Sequence, residues 1–439
     1  MFVRRSAAVH ATAHGRGHGR AHVAVRAAVL AAVSAATAVI GTAVAPAALA
    51  DDASPSASPS QAFPSGLYGS TDPTYDGVWR QSLALLAQHT VGVKPAAKAV
   101  DWLTGQQCAA GGFAPYRADA TAKCDAKTMV DTNNTAAAVQ ALAALGGHDS
   151  ETGKAVAWLK SVQNTDGGWG YVAGGASDAN STSVVIGALA ATGEKPLDVT
   201  SKGGESPYDA LAELSIACDA DGGGAFAYQP DKKGKLAANT DATAAAVTGS
   251  LGKGFAGEAV KPADDGASCK TTTGVDPEQT AQNGAAYLVE ALAKDKYLTS
   301  ALAGSEDQPD FGNTADAVVA LTTAGHGDQA ADSVRWLESN SAQWAAQSGP
   351  AAYAQLILAA QASGFDPRDF GGRDLVEQLG ATGPAPQTAA ESTEESTAPS
   401  ADEESDSDGL GVWWIVGVGL VAGIGVGFLI SGRNKRQQL

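Results

Sequence analysis

The chain has 439 residues, 44% of them apolar and only 6% aromatic, and a formal charge of −18. So acidic a chain is a poor electrostatic match for a phosphate backbone, which excludes nucleic acid as a partner. The length is ample for one substantial hydrophobic core with terminal segments of different character.

Residues 1–50 read as a secretory signal peptide. Arg4, Arg5, Arg16, Arg20 and Arg26 give a basic start, Ala27 to Val44 is apolar and alanine-rich, and Ala48-Leu49-Ala50 fits a small-x-small cleavage site. Residues 51–65 form a short leader expected to be disordered. The folded part is then expected over residues 66–382.

Within it, Asp72 to His89 carries Trp79, Leu83 and Leu86 at helical spacing and reads as one helix. Five related segments follow, centred on Trp102-Leu103, Trp158-Leu159, Glu213-Leu214, Tyr287-Leu288 and Trp336-Leu337. In the first three a glycine-rich loop comes next: Gly111-Gly112-Phe113, Gly167-Gly168-Trp169, and Gly222-Gly223-Gly224 before Phe226. Polar clusters then open alanine-rich runs, beginning at Asp131, Asp178, Asn239 and Asp310 and closing with threonine at 135, 182, 243 and 314. Asp, Asn and Thr cap helix N–H groups, and glycine (Gly146, Gly193, Gly325) supplies the left-handed stop. The unit is therefore helix, loop, helix. Arg373 to Leu379 reads as the first helix of a pair without its second, and Asp72 to His89 as a second without its first. Five pairs and two complementary halves make twelve helices, expected to close into a ring rather than an open solenoid.

Cys108, Cys124, Cys218 and Cys269 complete the inventory of the folded part. In an exported protein they are expected to pair, most economically as Cys108–Cys124 and Cys218–Cys269. No close Cys/His pairs suggest a metal site.

Residues 383–409, rich in Ser, Thr, Glu, Asp and Pro, cannot be buried and read as a disordered, self-repelling stalk. Gly411 to Ile430 contains twenty residues without a charge. At about 1.5 Å per residue this crosses a bilayer core of about 30 Å. Residues 410–431 are accordingly expected to form one transmembrane helix, and the basic residues 432–439 a cytoplasmic tail. Excluding the five leader arginines and three basic tail residues takes the formal charge from −18 to −26 for residues 51–432.

Trp158-Leu159-x-x-x-Gln163 followed by Gly167-x-Trp169 resembles the QW repeat of squalene cyclases and protein prenyltransferases. Trp102-Leu103-x-x-x-Gln107 with Gly111-x-Phe113 is a looser copy. The resemblance spans about residues 66 to 382 and implies an all-α, α6/α6 toroid with inner helices around a central cavity. The same architecture serves cobalamin carriers of the intrinsic factor and transcobalamin type, so a corrinoid enters as a ligand class implied by resemblance. It is more specific for fold than for function.

The chemistry of the relatives is poorly matched. Terpene cyclisation in the family uses an Asp-x-Asp-Asp run, of which Asp219-Ala-Asp-Gly222 is incomplete. Prenyl transfer uses zinc held by Asp, Cys and His, and the exported part retains only His89, His148 and His326. No catalytic residue or metal ligand is assigned, and no cofactor beyond the implied corrinoid. The expected ligand-binding set lies at the inner-helix starts, where helix N–H groups and dipoles would converge on one mouth of the ring. It comprises Asp131, Asn133, Asn134, Asp178, Asn180, Asn239, Asp241, Asp310 and Asn313, with Tyr116, Trp169, Tyr171 and Tyr228 as stacking surface. The competing reading of the acids is N-capping. The functional expectation is an exported, membrane-anchored protein that captures a bulky small molecule, with a lid or transporter partner at the membrane. The alternatives are a terpene cyclase-like or polysaccharide-acting enzyme using cavity carboxylates, and a structural surface protein.

Overall fold

The chain runs outward and inward in alternation because two kinds of helix alternate in its sequence. The computed structural model describes residues 63–263, 266–271, 274–300 and 307–387. In chain order the helices are α1 (Gly77–Thr90), α2 (Ala97–Gly105), α3 (Thr132–Leu145), α4 (Asp149–Ser161), α5 (Ala179–Ala191), α6 (Pro207–Leu214) and α7 (Thr240–Ser250). They continue as α8 (Pro277–Ala293), α9 (Phe311–Thr323), α10 (Gly327–Asn340), α11 (Ala342–Ser348), α12 (Pro350–Ser363) and α13 (Leu375–Ala381). The even-numbered α2 to α8, with α10 and α13, form the outer layer. In α4, for example, Thr152, Ala155, Val156 and Leu159 are buried while Lys154 is exposed, the single apolar face of a surface helix.

The inner helices lack that asymmetry. In α3 every residue from Asn134 to Leu142 is buried. A helix enclosed on all sides must be apolar all round, and its alanines let neighbours approach closely. α1 packs on α3, α3 on α5, α5 on α7, α7 on α9, α9 on α12, and α12 returns to α1. The ring is closed.

Closure is reinforced where the two ends of the folded part meet. Gly69 N–H donates to Thr382 O at 2.8 Å, and the Tyr68 hydroxyl donates to Pro384 O at 3.1 Å. Gln81 secures the incoming chain: its Nε2 donates to Gly66 O (2.9 Å) and Ala99 O (2.8 Å), and its Oε1 accepts from Tyr68 N–H (2.9 Å).

The repeated glutamine, glycine and aromatic build the corners. Gln163 Nε2 donates to Gly167 O at 2.8 Å within its own loop and to Val199 O at 3.3 Å beyond it. Gln107 does the same with Gly111 O at 3.0 Å and Glu151 O at 2.8 Å. The glycine lets the loop touch the next outer segment. A Cβ on Gly167 (φ +87°) would stand 2.1 Å from Ser206 O, and one on Gly111 2.2 Å from Lys154 O. The aromatic fills the corner: Trp169 is fully buried and its Nε1 donates to Leu159 O at 2.8 Å.

Three features depart from the expectation of twelve helices. α11 is an additional short helix against α12. α12 starts at Gly349-Pro350 with no side-chain cap, and so lacks the polar cluster that marks α3, α5, α7 and α9. Two small antiparallel ladders also occur, β1 (Phe226–Ala227) with β2 (Ala238–Asn239), and β3 (Leu298–Thr299) with β4 (Pro309–Asp310). They bring corner residues beside the caps of α7 and α9, with Phe226 opposite Asn239 and Leu298 opposite Asp310. Both expected disulfides are present, Cys108–Cys124 and Cys218–Cys269. The expected signal peptide and transmembrane segment, and residues 388–409 of the expected stalk, fall outside the described residues, among which no helix is long and apolar enough to cross a membrane. Residues 383–387, expected to begin the stalk, instead pack on the ring, with Pro384 buried and Gln387 N–H donating to Lys94 O at 2.9 Å.

The glycine at the corner can be tested against a control. Gly174 also has positive φ, but a Cβ there would meet nothing within 4 Å. Gly167→Ala is therefore expected to destabilise the protein by about 2 kcal/mol more than Gly174→Ala in chemical denaturation, because only the former adds a clash to backbone strain.

Candidate functional site

The starts of the inner helices converge on one mouth of the ring, and most of their polar groups are satisfied by the protein itself. The first helical N–H of α3 (Thr132) donates to Tyr171 O at 2.9 Å, and that of α5 (Ala179) to Tyr228 O at 3.1 Å. Asp131 Oδ1 accepts from Asn134 N–H (2.7 Å), Asp178 Oδ1 from Ser181 N–H (2.7 Å), Asn239 Oδ1 from Ala242 N–H (2.8 Å) and Asp310 Oδ1 from Asn313 N–H (3.0 Å). The second carboxylate oxygens are also taken. Asp131 Oδ2 accepts from Asn134 Nδ2 and Asp310 Oδ2 from Asn313 Nδ2, both at 2.9 Å, and Asp178 Oδ2 accepts from Ser181 Oγ at 2.8 Å. Asp131, Asp178, Asn239 and Asp310, with Asn134 and Asn313, are capping groups. The expectation that helix N–H groups would be offered to a guest is corrected: cap carboxylates and tyrosine carbonyls already occupy them.

Two of the expected stacking aromatics also belong to the frame. Trp169 is enclosed in its corner and cannot line a mouth. Tyr116 stacks on Trp102 of the outer helix α2, with centroids 6.5 Å apart. Tyr171 and Tyr228 remain, each 43% exposed.

What the capping scheme leaves over includes the second position of three inner helices: Asn133 on α3, Asn180 on α5 and Asp241 on α7. Asn180 Nδ2 reaches the neighbouring helix and donates to Asp241 Oδ2 at 2.6 Å. The other amide oxygen, Asn180 Oδ1, is enclosed without a protein partner, and so is Asn133 Oδ1. Asp316, a turn and a half into α9, accepts from Gln355 Nε2 of α12 at 3.1 Å. Asp241 and Asp316 both line a cavity in the bore, together with Gln140, Ser183, Val184, Thr248, Val319 and residues 253–255. That cavity holds about 70 Å³. A recess of about 890 Å³ at the other ends of α1, α9 and α12 is larger; it is lined by buried Leu86, Thr322 and Ala362 and by exposed His89, Glu258, Arg335 and Gln361, and lies away from the acidic mouth.

The carboxyl groups in this region are harder to ionise than usual. Burial pushes Asp316 up to about 7, with the charge of Asp241 adding to the effect and Gln355 opposing it. Burial also pushes Asp131 up to about 6 against the hydrogen bonds from Asn134. Asp178 and Asp241 are raised for the same reason, Asp241 further by Asp310 and Asp178. Tyr171 and Tyr228 are raised by burial and by the neighbouring Asp131 and Asp178 respectively. Among the described residues no group of three His, Cys, Asp or Glu side chains could hold a metal ion. Asp219, of the incomplete Asp-x-Asp-Asp run, is exposed beside Cys218 and does not line this cavity.

A closed double ring of helices with acidic and amide side chains at one mouth defines an α/α toroid. Residues 78–263, from α1 to the segment after α7, match the family model described as the prenyltransferase alpha-alpha toroid domain. This stretch belongs to the prenyltransferase and squalene-cyclase-like toroid family to which its repeats show resemblance. Among solved structures the chain is similar to the ent-copalyl diphosphate synthase from Streptomyces platensis, at 14% identity and a TM-score of 0.44, over 65% of this chain and 50% of that one. It thus spans half the length of the synthase. It is also similar to the type II terpene cyclase MstE from Scytonema, at 15% identity and a TM-score of 0.40, over 62% of this chain and 72% of that one. A protein from Actinoplanes matches at 13% identity and a TM-score of 0.30, over 64% of this chain and 99% of that one. No curated protein matches the chain.

The raised carboxyls predict a pH dependence with a definite sign. A folded-state pKa above the unfolded value means that the native state holds the proton more tightly, so the contribution of these groups to stability is greatest below about pH 4 and declines as pH rises. For Asp131 and Asp316 the decline should run from about pH 4 through about 6 and about 7. Asp316→Asn should flatten its upper part and exceed the parent protein by about 1 kcal/mol or more at pH 8, measured by urea denaturation at a series of pH values.

Proposed function

We propose that this protein is an exported recognition module that holds a bulky, polar small molecule across the mouth of its toroid. One observation carries the reading: once caps and corners are satisfied, adjacent inner helices still present Asn133 Oδ1 and Asn180 Oδ1 as acceptors without partners, beside Asp241. Enclosed acceptors of this kind cost free energy unless a partner supplies donors; both atoms are covered, so a guest with N–H or O–H groups supplies them by parting the side chains that close over the helix starts. The bore itself is too small to swallow such a guest. Its cavity of about 70 Å³ compares with roughly 300 Å³ or more for ordinary ligand pockets, so the expectation of a bulky guest inside the central cavity gives way to one lying across the mouth. Tyr171 and Tyr228 offer the flanking surface.

A guest lying across a rim is covered on one side only, and a partner at the membrane would supply the other. A corrinoid, the ligand class suggested by resemblance to the intrinsic factor α-domain, is large, flat and edged with amide donors. In this reading the protein is tethered by residues 410–431 with the toroid outside the cell. Isothermal titration of the full-length protein against cobalamin and cobinamide tests the assignment. Heat of binding with a visible absorbance shift is expected, weakened about tenfold or more by Asn180→Ala. Neither signal with either compound removes the corrinoid.

A second reading has one observation in its favour. Asp316, held near half-protonation at neutral pH beside Asp241, has the character of a general acid. An enzyme of the toroid family acting on an isoprenoid or a glycan would use this pair rather than Asp219. Product from squalene or an acidic polysaccharide, abolished by Asp316→Asn in a folded protein, would establish it.

A further inference from the structure

The connection from α7 to α8 begins by entering the ring. Residues 253–257 touch four inner helices at once, which only a segment lying across the bore can do. The Phe255 ring meets Trp79 of α1 edge-on, centroids 5.3 Å apart and planes at 83°. Phe255 N–H donates to Gln140 Oε1 of α3 at 2.9 Å. Gly254 lies so close to α5 that a Cβ on Gly187 would stand 2.8 Å from its Cα, and Gly257 so close to α9 that its own Cβ would stand 2.3 Å from Thr323 Oγ1.

We propose that this strap is a built-in occupant of a binding slot for an aromatic ring with an adjacent N–H donor, and that a guest carrying such an arm enters by displacing Phe255. The slot is made by the ring and not by the strap. Gln140 Nε2 donates to Val184 O at 3.0 Å, so its acceptor oxygen stays aimed into the bore when Phe255 leaves. Gly187, in the middle of α5, gives up helix propensity to leave room for a backbone to pass. Trp79 faces the Phe255 ring, and the cavity beside it offers Val184, Ala244 and Val319 as apolar lining together with Asp241 and Asp316.

The strap is placed to yield. Phe255 is only half-buried, and the backbone on either side of it carries Gly252, Gly254 and Gly257. Its neighbours are fastened by Lys253 N–H to Thr248 O and Ala263 N–H to Gly325 O, each at 3.0 Å. The Cys218–Cys269 disulfide anchors the connection well downstream, so displacement of Phe255 leaves it intact. Lys253, Gly254 and Phe255 line the same cavity as Asp241 and Asp316, so an arm that fills this cavity lies against the ring it must replace.

The test uses the full-length protein and the peptide acetyl-Gly-Phe-Ala-amide, which reproduces residues 254–256. Binding to Phe255→Ala is expected to be about tenfold tighter or more than to the parent protein, and lost when Phe is replaced by Gly in the peptide. Gln140→Ala added to Phe255→Ala should weaken it again, since the N–H then has no acceptor. A folded Phe255→Ala protein that binds the peptide no better than the parent overturns the proposal. Should that variant fail to fold, Phe255→Leu keeps an apolar side chain and must still bind about threefold tighter than the parent, with equal binding overturning the proposal in the same way. Titration with cobinamide reports the rim separately: its success or failure leaves the peptide result unchanged, because the two probes depend on Asn180 and Gln140 respectively.

Discussion

The ring depends on one hydroxyl at the fourth position of its repeated inner helices. Thr135, Thr182, Thr243 and Thr314 each accept the N–H of the corner residue that precedes their helix, Phe113, Trp169, Phe226 and Leu298, at 2.9 to 3.1 Å. Three of them also donate to the carbonyl of their own cap residue: Thr135 to Asp131, Thr243 to Asn239 and Thr314 to Asp310. A single buried oxygen thus satisfies a loop donor and a helix acceptor in an apolar setting, where either group left alone would cost about 1–3 kcal/mol. Valine, the isostere, would fill the same space and satisfy neither.

This fastening explains why the mouth is polar without being open. Caps, tyrosine carbonyls and threonines use up the groups that a helix start ordinarily leaves to solvent or ligand. Polar atoms that remain unpaired are therefore conspicuous, and half of the eight among the described residues, the amide oxygens of Asn133, Asn134 and Asn180 and the hydroxyl of Thr132, lie at the starts of α3 and α5. The others are Arg80 Nε and Gln88 Nε2 on α1, Ser250 Oγ on α7 and Thr322 Oγ1 on α9. The orientations of Asn134 and Asn180 are set by the carboxylates that receive their Nδ2 groups, Asp131 and Asp241. The surplus at this mouth is of acceptors, which bears on the chemistry of any guest more directly than the net charge does.

The closed ring, its six inner helices, the corners and both disulfides could be read from the amino-acid sequence because each is repeated or bracketed there. Repetition exposes what a single copy hides: Asp or Asn, three variable residues and Thr recur ahead of the inner-helix runs, and in the first two units Gln, glycine and an aromatic come before them. α12, counted as the second helix of the fifth pair, has a start that no polar cluster marks because a proline after glycine replaces the cap, and α11 lies outside the count because it is a turn or two with no counterpart elsewhere. Trp169 and Tyr116 were placed at the mouth because an aromatic after a glycine turn reads the same whether it faces a corner or a cavity. The strap could not be foreseen, since a run of glycine, alanine and lysine has no period and only Gly187, a glycine without a turn to make, hints that something passes α5. Asp316 lies past the cap of α9, and nothing in the sequence pairs it with Gln355, which sits on the inner helix whose start carries no polar cluster.

A ring of alanine-rich helices poses a problem of its own, because small side chains draw the helices close yet leave an axis that neither water nor protein fills well. The chain resolves this from both ends. From one side Phe255 enters as a large apolar plug, and from the other Asn180, Asp241, Asp316 and Gln355 form amide–carboxyl pairs between neighbouring helices. Pairing acids with neutral amides rather than with lysine or arginine avoids a fully ionic core, and burial drives Asp316 toward its neutral form, which lowers the desolvation cost further. The same choice leaves the mouth short of donors and free to accept them. The depth of the cup and the polarity of its rim therefore follow from a single requirement, that the axis of a closed helical ring be filled.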